Sequence, residues 1–207
     1  MEMISLKQKR KNRYIHEEMR ASSIFSLLAY DDENEIFIND DQTAGFAFLC
    51  EPVKGADEQM EERLKSFINT DFPNETIMQV LWFRSPDIMK TMADMELMRI
   101  EKGINDPLMK DFVSQRADFF RKSTLTPIDG HTLQRVHDLK ICISVKIPIK
   151  SVTPSKEEVY MIDSYRKKAR ASLQTLRMMP MAMNAKHLLR LLSTLLNWSP
   201  ESSWRQN

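Results

Sequence analysis

Between Phe25 and Glu58 the chain reads FSLLAYDDENEIFINDDQTAGFAFLCEPVKGADE, and the order of apolar and turn residues in this block narrows the folds open to it. After an apolar entry, Glu35 to Asn39 and Ala44 to Val53 alternate or run apolar with strand-forming residues, separated by Asp40, Asp41, Gln42 and Thr43. This is the signature of a hairpin. Gly55 then supplies a turn and Asp57 a helix cap, after which Met60, Leu64, Phe67 and Ile68 recur at helical spacing.

Downstream the periods keep switching. Pro73 and Asn74 break the helix, and Thr76 to Phe83 returns as a strand rich in Ile, Val and aromatic residues. Ser85-Pro86-Asp87 reads as a helix start, with serine as cap and proline in the first turn. Met89, Met92, Met95 and Met98, with Ile88, fall along one face of that helix, a stripe expected to pack onto a sheet. Leu108, Phe112, Val113, Phe119 and Phe120 mark a further helix ending near Lys122, and Ser123 to Thr132 reads as a loop. Leu139 to Ile149 alternates as a strand, and Thr153-Pro154-Ser155 caps a long helix with Ile162, Tyr165, Ala169 and Leu173 facing inward. Met178 to Met183 reads as a short strand that Pro180 confines to a sheet edge. Asn184 caps a last helix through Leu188, Leu191 and Leu195, closed by Ser199-Pro200.

This alternation predicts an α+β fold, a mixed and mainly antiparallel sheet of about four to five strands with helices packed on one face. The domain reading is a basic flexible arm over residues 1–20 that turns helical toward Ile15 to Leu28, a single domain over 21–200, and a polar tail or start of a linker over 201–207.

Within the opening block, Phe25, Leu27, Leu28 and Tyr30, then Phe37, Asn39, Gly45, Phe46, Glu51 and Pro52, and finally Gly55, Ala56 and Glu58 follow one another at characteristic intervals. The pattern resumes at Asp138 to Ile147, at Ala171 to Gln174 and at Leu188 to Pro200. In these positions the chain resembles the start of the TraC family, the large ATPases of F-type conjugative type IV secretion systems. It departs at Ala29, where the family pattern carries proline before the tyrosine. The resemblance implies a sheet-and-helix module placed before a RecA-like motor, peripheral to the cytoplasmic face of the inner membrane. It implies inner-membrane components of the secretion channel as partners, and self-association as a homo-oligomer.

A TraC-like motor needs a phosphate loop, a glycine-rich run ending in Gly-Lys-Ser/Thr whose backbone amides cradle phosphate. Gly45, Gly55, Gly103 and Gly130 are the four glycines of the chain, each isolated and none followed by lysine and a hydroxyl residue. The expectation is therefore a non-catalytic N-terminal domain, without a cofactor of its own, ATP and magnesium belonging to a C-terminal domain downstream of the matched region.

No other catalytic constellation emerges. His16, His131, His137 and His187 are scattered, without His-Glu-x-x-His or zinc-finger spacing, and no Gly-x-Ser-x-Gly elbow occurs. The acidic residues between Asp31 and Asp41 lack an EF-hand pattern, because Ile36 and Gln42 stand where glycine and glutamate are required, so they read as a solvated hairpin surface. Cys50 and Cys142 each sit among apolar neighbours in a predicted strand and read as buried free thiols. No apolar stretch approaches the roughly 20 residues of a membrane span, and no signal-type segment opens the chain. A cytoplasmic protein is expected.

Two surfaces remain as candidates for binding. Met178, Met179, Met181 and Met183 flank the proline-broken edge strand, where a partner strand could dock against flexible thioethers. Lys7, Lys9, Arg10, Lys11 and Arg13 form a basic arm, suited to an anionic lipid surface at about 1 kcal/mol per residue. The alternative function is a stand-alone nucleic-acid-binding accessory protein using that arm. With a net charge of +1 and Tyr14 as the only aromatic residue near the arm, nucleic acid is the poorer partner. A second basic run, Arg166, Lys167, Lys168 and Arg170, reads as the wet face of the long helix.

Overall fold

The computed structural model describes residues 25–53, 55, 57–69, 71–101, 106–129, 131 and 133–197. The arm of residues 1–20 and the tail of 201–207 lie outside them. The described residues form six strands, β1 (Leu27–Asp31), β2 (Ile36–Asn39), β3 (Thr43–Cys50), β4 (Ile77–Ser85), β5 (Asp138–Pro148) and β6 (Met181–Ala182). Five helices accompany them: α1 (Glu58–Ile68), α2 (Met89–Glu101), α3 (Pro107–Lys122), α4 (Lys156–Thr175) and α5 (Ala185–Asn197). The sheet runs β1-β2-β3-β5-β4, with β6 also paired to β3. Every pairing is antiparallel. The α+β class and the antiparallel sheet are as the sequence predicts.

The axis of the sheet is β3 against β5, in continuous register from Thr43 opposite Pro148 to Cys50 opposite Ile141. Alternation along these two strands divides the core. On one face Phe46, Phe48, Ile143, Val145 and Ile147 are buried with Phe67 of α1 and Ile162, Ala169 and Leu173 of α4. On the other, Leu49 and Cys142 join Phe37, Phe83, Met183 and Leu191 of α5. Each such fully buried side chain contributes about 1.5–3 kcal/mol. The helices thus cover both faces of the sheet, where the sequence pointed to one, because Leu188 and Leu191 bring α5 onto the second face.

Two further expectations are corrected. Leu27 and Leu28, read as the end of a helical entry, belong to β1, which pairs with β2 through a register irregularity between Leu27 and Ala29. An irregular edge position of this kind tolerates a range of residues, proline included. The methionine stripe of α2 packs against α3 and not onto the sheet: Ile88, Met92 and Ala117 form a separate small core with Met95, Phe120 and Val136. Met89 and Met98 are left exposed.

Local signals start the helices. Pro107 occupies the first turn of α3, whose cap Asp106 accepts a hydrogen bond from the Leu108 N–H at 2.9 Å. Ser155 and Glu158 form a reciprocal capping box on α4. On α2 the sequence placed the cap at Ser85, but Ser85 closes β4 and the Asp87 carboxylate accepts from the Met89 N–H at 3.1 Å instead. Asn184 caps α5 as expected, its Oδ1 accepting from the His187 N–H at 2.9 Å while His187 Nδ1 accepts from the Asn184 N–H at 3.4 Å.

Gly45 is dictated by the central pairing, since a Cβ there would lie 1.9 Å from the Val145 carbonyl oxygen. Gly45→Ala is expected to destabilise the chain by about 1–3 kcal/mol, read as a lower urea midpoint with unchanged slope. An unaltered midpoint would show that the strands part here without cost.

His187 carries a pH-dependent part of the stability. Burial, then the charge of Arg190, holds its pKa below the ordinary 6.5, against a weaker opposing effect of a backbone hydrogen bond. A depressed folded pKa means that the unfolded chain takes up the proton first. This contribution is complete above the unfolded pKa and is lost as pH falls through the folded one. Unfolding free energy should fall between about pH 7 and 5, and His187→Gln, which keeps a neutral cap, should flatten that decline.

Candidate functional site

The most distinctive local backbone lies where α4 ends and the chain turns back to β6. Leu176 caps the helix, the Arg177 N–H donates to the Gln174 carbonyl at 2.9 Å, and the Met178 N–H donates to Leu173 at 3.1 Å. These are the bonds of a Schellman motif, whose residue after the cap adopts a left-handed backbone and is usually glycine. Here it is Arg177, at φ 59°, and Met179 is left-handed as well at φ 47°. Two non-glycine residues in this region within three positions mark stored strain of about 1–3 kcal/mol each.

Strain at Met179 is held in place by its neighbours. Met178 turns inward and is buried with Leu173 and Leu176, while its carbonyl accepts from the Glu51 N–H at 2.9 Å. Next, β6 pairs with the far end of β3, Leu49 opposite Met181 and Phe48 opposite Ala182, and the Met183 N–H donates to Ala47 at 2.9 Å. Pro180 is buried. The short strand continues the line of β2 along β3 and has no strand on its outer side among the described residues. It lies at a sheet margin, in keeping with Pro180.

The four methionines therefore separate. Met178 belongs to the core on one sheet face and Met183 to the core on the other, with the Cys142 thiol 3.4 Å from the Met183 sulfur. Met179 and Met181 stand outside, Met179 with 72% of its surface exposed. The separation follows from strand alternation and the αL turn, and it halves the docking surface drawn from sequence.

Beside Met179 lies a cleft of about 430 Å³ between the end of β3, the first turns of α1 and the end of α4. Val53, Met60, Leu176 and Met179 supply apolar lining, and Glu51, Asp57, Arg63 and Arg177 supply two charges of each sign. Arg63 is tied down, donating to Gln59 at 2.8 Å and to the Thr175 carbonyl at the end of α4 at 3.4 Å. Gly55, at φ 94°, makes the turn that opens the cleft. A lining that mixes apolar side chains with charges of both signs suits a side chain and flanking peptide groups of another protein.

The other residues singled out from the sequence do not converge. Lys7, Lys9, Arg10, Lys11, Arg13 and His16 lie outside the described residues. The His131 N–H donates to Asp129, and the His137 and His187 rings bond to backbone groups close in sequence; no group of three metal-binding side chains forms among the described residues. Cys50 and Cys142 are buried free thiols, and burial pushes them up to about 12 and about 11.

Asp32, Glu33 and Asp40 of the acidic hairpin are exposed, as a solvated surface predicts, while Asp31, Glu35 and Asp41 are engaged by the structure. Asp31 accepts from Asn34 Nδ2 at 2.7 Å and from the Glu33 and Asn34 N–H groups, and the Asn34 side chain foremost holds its carboxyl below the usual range. Asp41 accepts from Thr43 and pairs with Lys146 at 3.1 Å. Glu35 reaches Arg166 of α4. Arg166 is accordingly not on the wet face of its helix, as its basic neighbours suggested, but 9% exposed, and also bonded to Asp163 at 2.7 Å.

Sequence reasoning also missed how much apolar surface stays open. Leu97, Met98, Leu108, Phe112 and Phe119 of the α2–α3 hairpin are all about half exposed or more, and Trp82 on β4 is 68% exposed. Periodicity marked these residues as apolar without telling which of them the neighbouring elements cover, and among the described residues they stay open.

The strain at Arg177 is testable by itself. Arg177→Gly should raise the unfolding free energy by up to about 1 kcal/mol, the αL penalty removed exceeding the added freedom of the unfolded chain. A loss of stability in thermal or urea unfolding would show that the Arg177 side chain contributes more than its backbone costs.

Over residues 21–207 the chain matches the family model described as TraC protein. No curated protein and no solved structure matches it.

Proposed function

The chain belongs to the TraC family, a family of conjugative transfer and type IV secretion, and from that premise we propose that it is a non-catalytic docking domain for assembly of the secretion machinery. The observation that carries this reading is Met179 at the side of a preformed cleft, strained in backbone and exposed in side chain, with Met181 exposed beside it on β6. Strain persists where the surrounding structure enforces it, and it concentrates at binding and switching sites. The partner is a cytoplasm-facing protein segment of the inner-membrane part of the channel, with an apolar side chain entering between Val53, Met60 and Leu176.

ATP hydrolysis and its magnesium belong elsewhere in the family's machinery, consistent with the absence of a phosphate loop from the sequence. No helix among the described residues is long and apolar enough to cross a membrane. In this reading, attachment at the inner membrane is peripheral, through the partner.

Met179→Ala and Met181→Ala together should abolish co-purification with detergent-solubilised inner-membrane channel components and leave the unfolding midpoint unchanged, because both side chains are exposed. Retained co-purification at wild-type level would move docking to another surface. In parallel, the purified chain should release phosphate from ATP no faster than a buffer blank, and turnover above it would overturn the non-catalytic assignment.

A further inference from the structure

The β4 edge carries a second, independent inference. Nine residues, Ile77–Ser85, pair with β5 in unbroken register from Ile77 opposite Lys146 to Ser85 opposite Asp138. Nothing pairs with the other side of β4 among the described residues. Natural sheets protect such margins with bulges, prolines, charges or brevity. This strand, IMQVLWFRS, has no bulge and no proline, and Arg84 is its one charged residue. Ile77, Val80 and Trp82 are 61%, 51% and 68% exposed.

We infer that the outer edge of β4 is a self-association surface, pairing antiparallel with β4 of a second copy about a twofold axis at Leu81. In this register Val80 of each copy faces Trp82 of the other, a small side chain against a large one on the same sheet face. Gln79 faces Phe83, and Ile77 faces Ser85. Arg84 falls opposite Met78, so no like charges meet, the electrostatic condition that a self-pairing strand must satisfy. The alternation that exposes Val80 and Trp82 on one face also puts them on one continuous surface across the axis.

The size of the contact sets its strength. Two tryptophans bring on the order of 150–250 Å² each, and a nine-residue edge extends about 30 Å. The interface is smaller than the standard stable one of about 1,600 Å² in total. Dimers should therefore form in the micromolar range and not persist at high dilution.

The test is sedimentation equilibrium of the full chain over the micromolar range, with a shift toward twice the 24.3 kDa monomer. Val80→Lys and Trp82→Lys, both at exposed positions, should abolish the shift while leaving the circular dichroism spectrum unchanged. Leu81→Cys should cross-link to itself on mild oxidation, since residues at the axis face each other at disulfide distance. Gln79→Cys should not, being about 13 Å from its counterpart by strand rise. The native Cys50 and Cys142 are buried and serve as a silent background. A chain that stays monomeric at every concentration overturns second-copy pairing and leaves the edge to a segment of a different protein. Dimers indifferent to both lysine substitutions, or cross-linking at position 79 equal to that at 81, overturn it too.

Discussion

The pairing of β3 with β5 is the constraint on which the other contacts depend. Its eight residue pairs are covered on both sides, so a slip of one residue would transfer Phe46 and Phe48 from the α1–α4 face to the α5 face. Gly45 shows how close the approach is, with a carbonyl oxygen of β5 where its side chain would be. Around this pair the other strands take fixed places. β2 and β6 share one side of β3, and β4 takes the far side of β5. Both helical layers then follow from strand parity.

The opening hairpin is fastened to this frame by charge. Glu35, itself left-handed at φ 55°, reaches across to Arg166, which also holds Asp163. Burial alone would raise the Asp163 pKa, but hydrogen bonds from Lys167 and Arg166 and their charges outweigh it and leave it lowered. Removing one partner of a buried pair is costly because the other is left uncompensated. Here a residue that looked like part of a solvated basic run ties the longest helix to the acidic turn, and both surfaces lose much of their free charge.

Period and punctuation made much of the fold legible. The hairpin, β4, β5, the long α4 and the leucine-rich α5 each carry an uninterrupted period bounded by Pro, Gly, Ser or Asn, and each lies near its expected limits. What failed shares one physical cause, since a periodic stripe says that a face is covered but not by what. The α2 methionines are apolar on one side whether they meet a sheet or α3. Arg166 lies one residue from Tyr165 and three from Ala169, so its place beside the buried stripe was open to an inward reading only once Glu35 was known to lie opposite. Met178 and Met183 were separated from Met179 and Met181 by an αL turn at Arg177 that no glycine announced.

The two sheet margins are built differently, and the difference bears on assembly. At the β1 margin the strand is short, irregular in register and followed by an acidic turn, all features that discourage edge pairing. The β4 margin is long, regular and nearly uncharged. The Met179 ledge lies on the β6 side of β3, two strands away from β4 across β5. With neighbouring strands about 4.8 Å apart, β6 and β4 stand roughly 14 Å apart across the sheet. A protein partner on the ledge and a second copy on β4 would not compete for surface. Occupying one would leave the other presented, so the two margins can serve two contacts at once.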